Sequence, residues 1–157
     1  EWVISIKNNN FKKNVLKGLF DSEGCVSKHN QHLTFMFTNY SKNILNLFVN
    51  LCSQFDIKTR LYKKCVVIAD IISCFKFYKN IGITIKRKNV IAMEIKNIVN
   101  RYKQQVLKYK KMLQLRGILN CVEISNQLNI PIYTIKNWLF KDMKPYCYKE
   151  FVRLGVE

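Results

Sequence analysis

Leu16-Lys17-Gly18-Leu19-Phe20-Asp21-Ser22-Glu23-Gly24 closes an apolar run that begins near Phe11. Within that run Val15, Leu16, Leu19 and Phe20 recur at helical spacing, which predicts a helix over residues 11–24 that stops at a glycine. Gly18 strips a side chain from one face of this helix, so a second copy of the same helix can approach backbone to backbone. Asp21 and Glu23 lie at its C-terminal end, where a carboxylate opposes the helix dipole. A solvated helix-end acid is the bland account of Glu23. Its unfavourable place in this stretch points instead to function.

Outward from the helix, the pattern changes from turns of three and four to strict alternation. Leu33, Phe35 and Phe37 share one face, and His32, Thr34, Met36 and Thr38 the other, which predicts a hairpin over residues 25–39 turning between residues 29 and 31. Residues 41–55 return to helical spacing through Ile44, Leu45, Phe48, Leu51 and Cys52, with Ser41 as N-cap. A second hairpin follows, from alternation over 58–64 and a β-branched run over 65–72. A short helix over 75–80, a loop over 81–88 and a long basic helix over 89–116 complete the first domain, residues 1–116.

Gly117 marks the boundary of a small all-α module, residues 117–157. Ile124, Ser125, Leu128, Ile130, Ile135 and Trp138 stand where a helix-turn-helix places its packing residues, and Asn129-Ile130-Pro131 is the turn. Asparagine tolerates the left-handed conformation such a turn requires.

Charge narrows the partners. Against 10 acidic residues stand 27 Lys and Arg, a formal net charge of +17. Such an excess suits a polyanion, and because it is spread along the chain rather than gathered on one amphipathic helix, nucleic acid fits better than a membrane surface. The apolar fraction of 48% excludes a disordered chain. Six cysteines appear without a C-x-x-C pair, so they read as reduced thiols in an intracellular protein, and no apolar run suits membrane spanning. The composition also fits an AT-rich genome, with a prokaryotic cytoplasm favoured over an organelle.

The nonapeptide 16–24 resembles the signature of the LAGLIDADG homing endonuclease family, with Glu23 in place of the second aspartate and Phe20 and Ser22 as further substitutions. The order helix, hairpin, helix, hairpin, helix is similar to that family as well. The resemblance implies an α+β fold of αββαββα type whose antiparallel sheet binds double-stranded DNA, and a magnesium-dependent cleavage at a long recognition site. It implies that Glu23 and the main-chain carbonyl of Ser22 hold Mg2+, that Asn39 at the end of the second strand orders the water network, and that a lysine after the fourth strand joins them. Lys86 is preferred to Lys88 for that role. Asp21 is read as structural, bonding main-chain groups near the helix ends. Because one motif copy is present, the resemblance implies a homodimer through the helix containing Gly18. The opening Glu1-Trp2-Val3-Ile4-Ser5 also resembles the start of the second half of two-motif members, which leaves a C-terminal half as the alternative.

On such a sheet the outward face would read the major groove. Alternation nominates Ser27, His29, His32 and Thr34 on the first hairpin, and Met36 at most for a thymine methyl. Lys58, Arg60, Tyr62 and Lys64 are nominated on the second. His29 and His32 are expected on opposite faces, so no metal is assigned to their H-x-x-H spacing. In the C-terminal module Tyr133, Thr134, Lys136 and Asn137 are placed on the exposed side of the second helix, as further DNA contacts at Thr134, Lys136 and Asn137. Two other functions use the same scaffold: a DNA-binding regulator that does not cut, and an RNA-binding intron maturase.

Overall fold

A computed structural model of the chain describes residues 2–29, 32–146 and 148–153. The residues group into two compact units, Glu1–Val99 and Asn100–Glu157. The division falls inside the long helix rather than at Gly117, because the later turns of that helix share a core with the C-terminal helices. Among the described residues, no helix is long and apolar enough to cross a membrane.

In the first unit a short α1 (Trp2–Ser5) precedes α2 (Asn9–Glu23), the helix of the nonapeptide. It starts before the apolar periodicity does, because the Asn8 side chain accepts the Phe11 N–H and caps it. Then come β1 (Gly24–His29), β2 (His32–Thr38), α3 (Lys42–Gln54), β3 (Arg60–Leu61), β4 (Cys65–Ile68) and α4 (Ile71–Asn80), followed by α5 (Lys86–Leu115). The four strands form one antiparallel sheet in the order β1-β2-β4-β3. This is the expected α+β architecture. His29 stands opposite His32, and the turn expected between them falls on residues 30 and 31, outside the described residues.

Three boundaries differ from expectation. The β-branched run does not stay extended: Ile71 and Ile72 open α4 instead, because the Asp70 side chain accepts the Ser73 N–H at 2.9 Å and caps a helix there. Only Arg60 and Leu61 of the predicted strand pair with β4, so Lys58, Tyr62 and Lys64 lie in the flanking loops. The basic helix begins at Lys86 and takes up the end of the expected loop. Ser41 occupies the N-cap position of α3 without a side-chain cap bond.

Phe20 is the hinge between motif and core. Its ring lies 4.9 Å from that of Phe77, 5.7 Å from Phe35 and 6.5 Å from Phe48, while Phe37 stacks on Phe48 at 4.4 Å. All five rings are fully buried, and each contributes roughly 1.5–3 kcal/mol by leaving water. The motif helix is therefore pinned to the sheet and to both covering helices three residues before Glu23. Cys74 is packed in the same region, where burial pushes its thiol up to about 12. It and the other described cysteines are free thiols; Cys147 lies outside the described residues.

Gly24 allows the chain to leave α2 directly into β1. A Cβ there would stand 2.4 Å from the Phe20 carbonyl oxygen and 2.5 Å from its ring, although the backbone conformation itself suits any residue. We expect Gly24→Ala to destabilise the first unit by about 2–3 kcal/mol, the range of an overpacked core, read from denaturant unfolding. An unchanged midpoint would show that Phe20 yields freely.

The second unit has its own core. Tyr109 and Met112 of α5 pack with Ile124 and Leu128 of α6 (Cys121–Leu128) and with Ile135 and Trp138 of α7 (Ile132–Phe140). Tyr109 meets Trp138 edge-on at 5.3 Å and Tyr148, in α8 (Tyr148–Arg153), at 5.2 Å. A capping box between Asn120 and Glu123 starts α6. Between α6 and α7, Asn129 adopts the left-handed conformation at φ 49°, and Ser125 Oγ donates to the Ile130 carbonyl at 2.6 Å across the turn.

Candidate active site

Glu23 ends α2 with an exposed side chain, and the fold brings one polar partner to it. Asn39 follows the last residue of β2, where its own N–H donates to the Lys64 carbonyl and fixes the backbone against the second hairpin. Its Oδ1 accepts the Ser41 N–H at 2.8 Å, an Asx-type turn into α3. That bond can be made only by the amide oxygen, so the nitrogen is left to face the motif helix. Nδ2 accordingly donates to Glu23 Oε2 at 2.5 Å. Two of the residues singled out in the sequence are thus joined by the close of one hairpin and the end of one helix.

The neighbouring acid has a different task. Asp21 accepts the Thr84 N–H at its two carboxylate oxygens, 3.1 and 3.2 Å away. This is the main-chain role expected of it. Ser22 is exposed, with Oγ donating back to the Leu19 carbonyl at 2.9 Å.

Lys86 is exposed in the first turn of α5, whereas Lys88, one position removed on the helix from the outward arc, is only 7% exposed. Its Nζ donates to the Phe20 carbonyl at 3.0 Å and the Asp21 carbonyl at 2.6 Å, so it is held by the last turn of α2 and not by solvent. Burial pulls the Lys88 pKa below the ordinary lysine value, and the nearby Asp21 charge opposes that shift. Lys86, Arg87 and Lys88 all fall at the N-terminus of α5, with no acid in the first turn to complement the dipole. Such crowding of positive charge is unfavourable unless an anion faces it.

Among the described residues no group of three or more His, Cys, Asp or Glu side chains converges. At the exposed end of the motif helix one carboxylate, Glu23, stands with the Asn39 amide on one of its oxygens. Its oxygens are hard donors of the kind that suit magnesium, but an ion needs more ligands than one side chain supplies. The chemistry of the donor set therefore fits a divalent cation only when further oxygens arrive from elsewhere.

On the sheet, the register fixes which side chains share the outer face. Cys25, Met36, Val67 and Arg60 form one row across all four strands, and Ser27 and Thr34 pair directly in the next. His29 and His32 are also directly opposed, so they lie on the same face and not on opposite ones. They belong to two paired strands, and cross-strand partners always share a face. Lys58, Tyr62 and Lys64 are exposed in the loops flanking β3, where strand alternation does not orient them; Lys64 Nζ sits 5.0 Å from the centre of the Tyr40 ring. Lys28, pointing to the other side, pairs with Glu94.

In the second unit Lys136 and Tyr133 are exposed and Thr134 is half-buried, but Asn137 is only 8% exposed. The expected solvent-facing place of Asn137 is thereby corrected. Past Phe140 the chain doubles back through Asp142 at φ 47°, and the Met143 N–H reaches the Asn137 carbonyl at 3.3 Å.

Residues 10–82 match the family model described as a LAGLIDADG-like domain. No curated protein and no solved structure matches the chain. A domain of that type supports a nuclease or DNA-binding role in general.

Proposed function

We propose, on the premise that this chain belongs to the LAGLIDADG homing endonuclease family through residues 10–82, that it is a site-specific endonuclease cutting double-stranded DNA by metal-dependent hydrolysis. The observation that carries this reading is the Asn39–Glu23 pair at the exposed end of the motif helix. A carboxylate that served only to solvate a helix end would have no need of an amide locked in place by its own turn. Glu23 and the Ser22 carbonyl would hold Mg2+, which when bound neutralises charge at the scissile phosphate and acidifies its water. Asn39 fixes the direction of the Glu23 carboxylate. Lys86, exposed beside the same helix end, would meet phosphate or order water there.

The single Glu23 carboxylate of the motif helix supports a homodimer in which two copies of α2 pack at Gly18 and bring two Glu23 side chains together. Like charges so placed are tolerable when cations lie between them. The outer sheet face, through Ser27, His29, His32, Thr34 and Arg60, would lie in the major groove, with Lys58, Tyr62 and Lys64 on the bordering loops. The second unit would add a helix-turn-helix contact through Thr134 and Lys136. In this scheme the first unit is the nuclease domain and the second the accessory module.

The test is incubation of duplex DNA carrying the uninterrupted host-gene site with the chain, in Mg2+ and in EDTA. A double-strand break in Mg2+ alone is the expected result. Binding without a nick in either condition would establish a regulator, and selective binding of the intron RNA in place of the duplex would establish a maturase.

A further inference from the structure

The segment carrying Lys86 is tied to the motif helix on both sides, and that double attachment has no place in the chemistry described above. Before Lys86, the Thr84 N–H is held by the Asp21 carboxylate. After it, the Lys88 ammonium is held by the carbonyls of Phe20 and Asp21. Both anchors end on the same two residues of α2, immediately before Ser22 and Glu23. The Phe20 carbonyl also accepts the Gly24 N–H, whereas the Asp21 carbonyl lies in the last turn of the helix, where a lysine donor answers a need of the backbone. An exposed arginine or lysine would serve that need as well. Burying a lysine is expensive unless its hydrogen bonds are made, and Lys88 makes two, at 3.0 and 2.6 Å, with its Nζ 5.7 Å from the centre of the Phe20 ring.

We propose that Lys88, Asp21 and the Thr84 N–H form a latch that fixes the start of α5 on the end of α2, making Lys88 a positioning residue that sets Lys86 relative to Glu23. The inference rests on the nuclease reading for its catalytic consequence, but the latch itself is structural and can be judged separately. Thr84 precedes α5 and Lys88 lies in its first turn, so the two anchors flank Lys86 and restrict its shift along α2 while both hold. Lys88→Met keeps the stem and its packing and removes the donors; Lys88→Arg keeps a charge and donors.

The test combines amide exchange with single-turnover cleavage on the full chain. In Lys88→Met, exchange of the Thr84 amide is expected to quicken by at least about tenfold against wild type, with amides of β2 unchanged. In Mg2+ its cleavage rate should fall about tenfold or more while duplex affinity in EDTA stays within about threefold, and Lys88→Arg should recover most of the rate. Adding Lys86→Ala to Lys88→Met should then change the rate by less than about threefold, because a displaced Lys86 has little left to lose. Unchanged Thr84 protection in a folded Lys88→Met chain overturns the latch. So do penalties that simply multiply. If Lys88→Met does not fold, the same exchange comparison on Asp21→Asn and Lys88→Arg decides. Should the wild type never nick DNA, the nuclease reading fails and Thr84 protection alone judges the latch.

Discussion

Glu23→Gln should abolish cleavage, lowering the rate by about 10^2–10^3-fold or more, the scale on which a single preorganised electrostatic group contributes, and leave duplex affinity in EDTA nearly untouched. The side chain keeps its shape and can still accept the Asn39 amide through its carbonyl oxygen, so the geometry that holds it at 2.5 Å is preserved. What disappears is the charge that a divalent cation needs. Because a carboxylate at the C-terminus of α2 opposes the dipole, the same substitution should raise the thermal midpoint slightly. Gain in stability with loss of turnover is the signature of a group kept for chemistry. A variant that cuts at the wild-type rate would remove Glu23 from the mechanism.

The second large effect is expected at Gly18. A Cβ built there meets nothing within 4 Å, and the position is exposed, so the single chain does not itself require glycine here. Glycine inside a helix is less favourable than a good helix former by about 0.8–1 kcal/mol, and Gly18→Gln should therefore stabilise the folded chain by about that amount in denaturant unfolding. In the proposed dimer the same side chain stands between two helix backbones. Sedimentation should show dimerisation weakened by at least about tenfold, and double-strand cleavage should fall with it. A Gly18→Gln chain that dimerises and cuts normally would place the contact on another face.

Much of this was legible in the residues themselves. The motif helix, the two hairpins and the packing positions of the helix pair follow from periodicity, because burial on one face writes a repeat into the sequence. For Asn39 the family resemblance is needed: it asks for a polar residue at the end of the second strand, and element order puts that position at Asn39. Which lysine turns inward was not: Lys86 and Lys88 differ only in rotation about α5, and the start of that helix was itself expected three residues later. Asn137 differs for a related reason, since a helical spacing of apolar residues does not say how far burial extends onto the polar positions beside them. Strand spacing alone puts the two histidines on opposite faces, whereas the pairing of β1 with β2 makes them cross-strand partners. Each difference arises from a contact distant in sequence or from a turn, and local pattern carries neither.

Assembly of the cutting site from two copies of the Glu23 helix is tested most directly by sedimentation of the chain on a duplex carrying its site, in the same buffer in which cleavage is followed. The expected complex contains two chains per duplex at every concentration that supports double-strand cleavage. Full cleavage by a complex holding a single chain would contradict it.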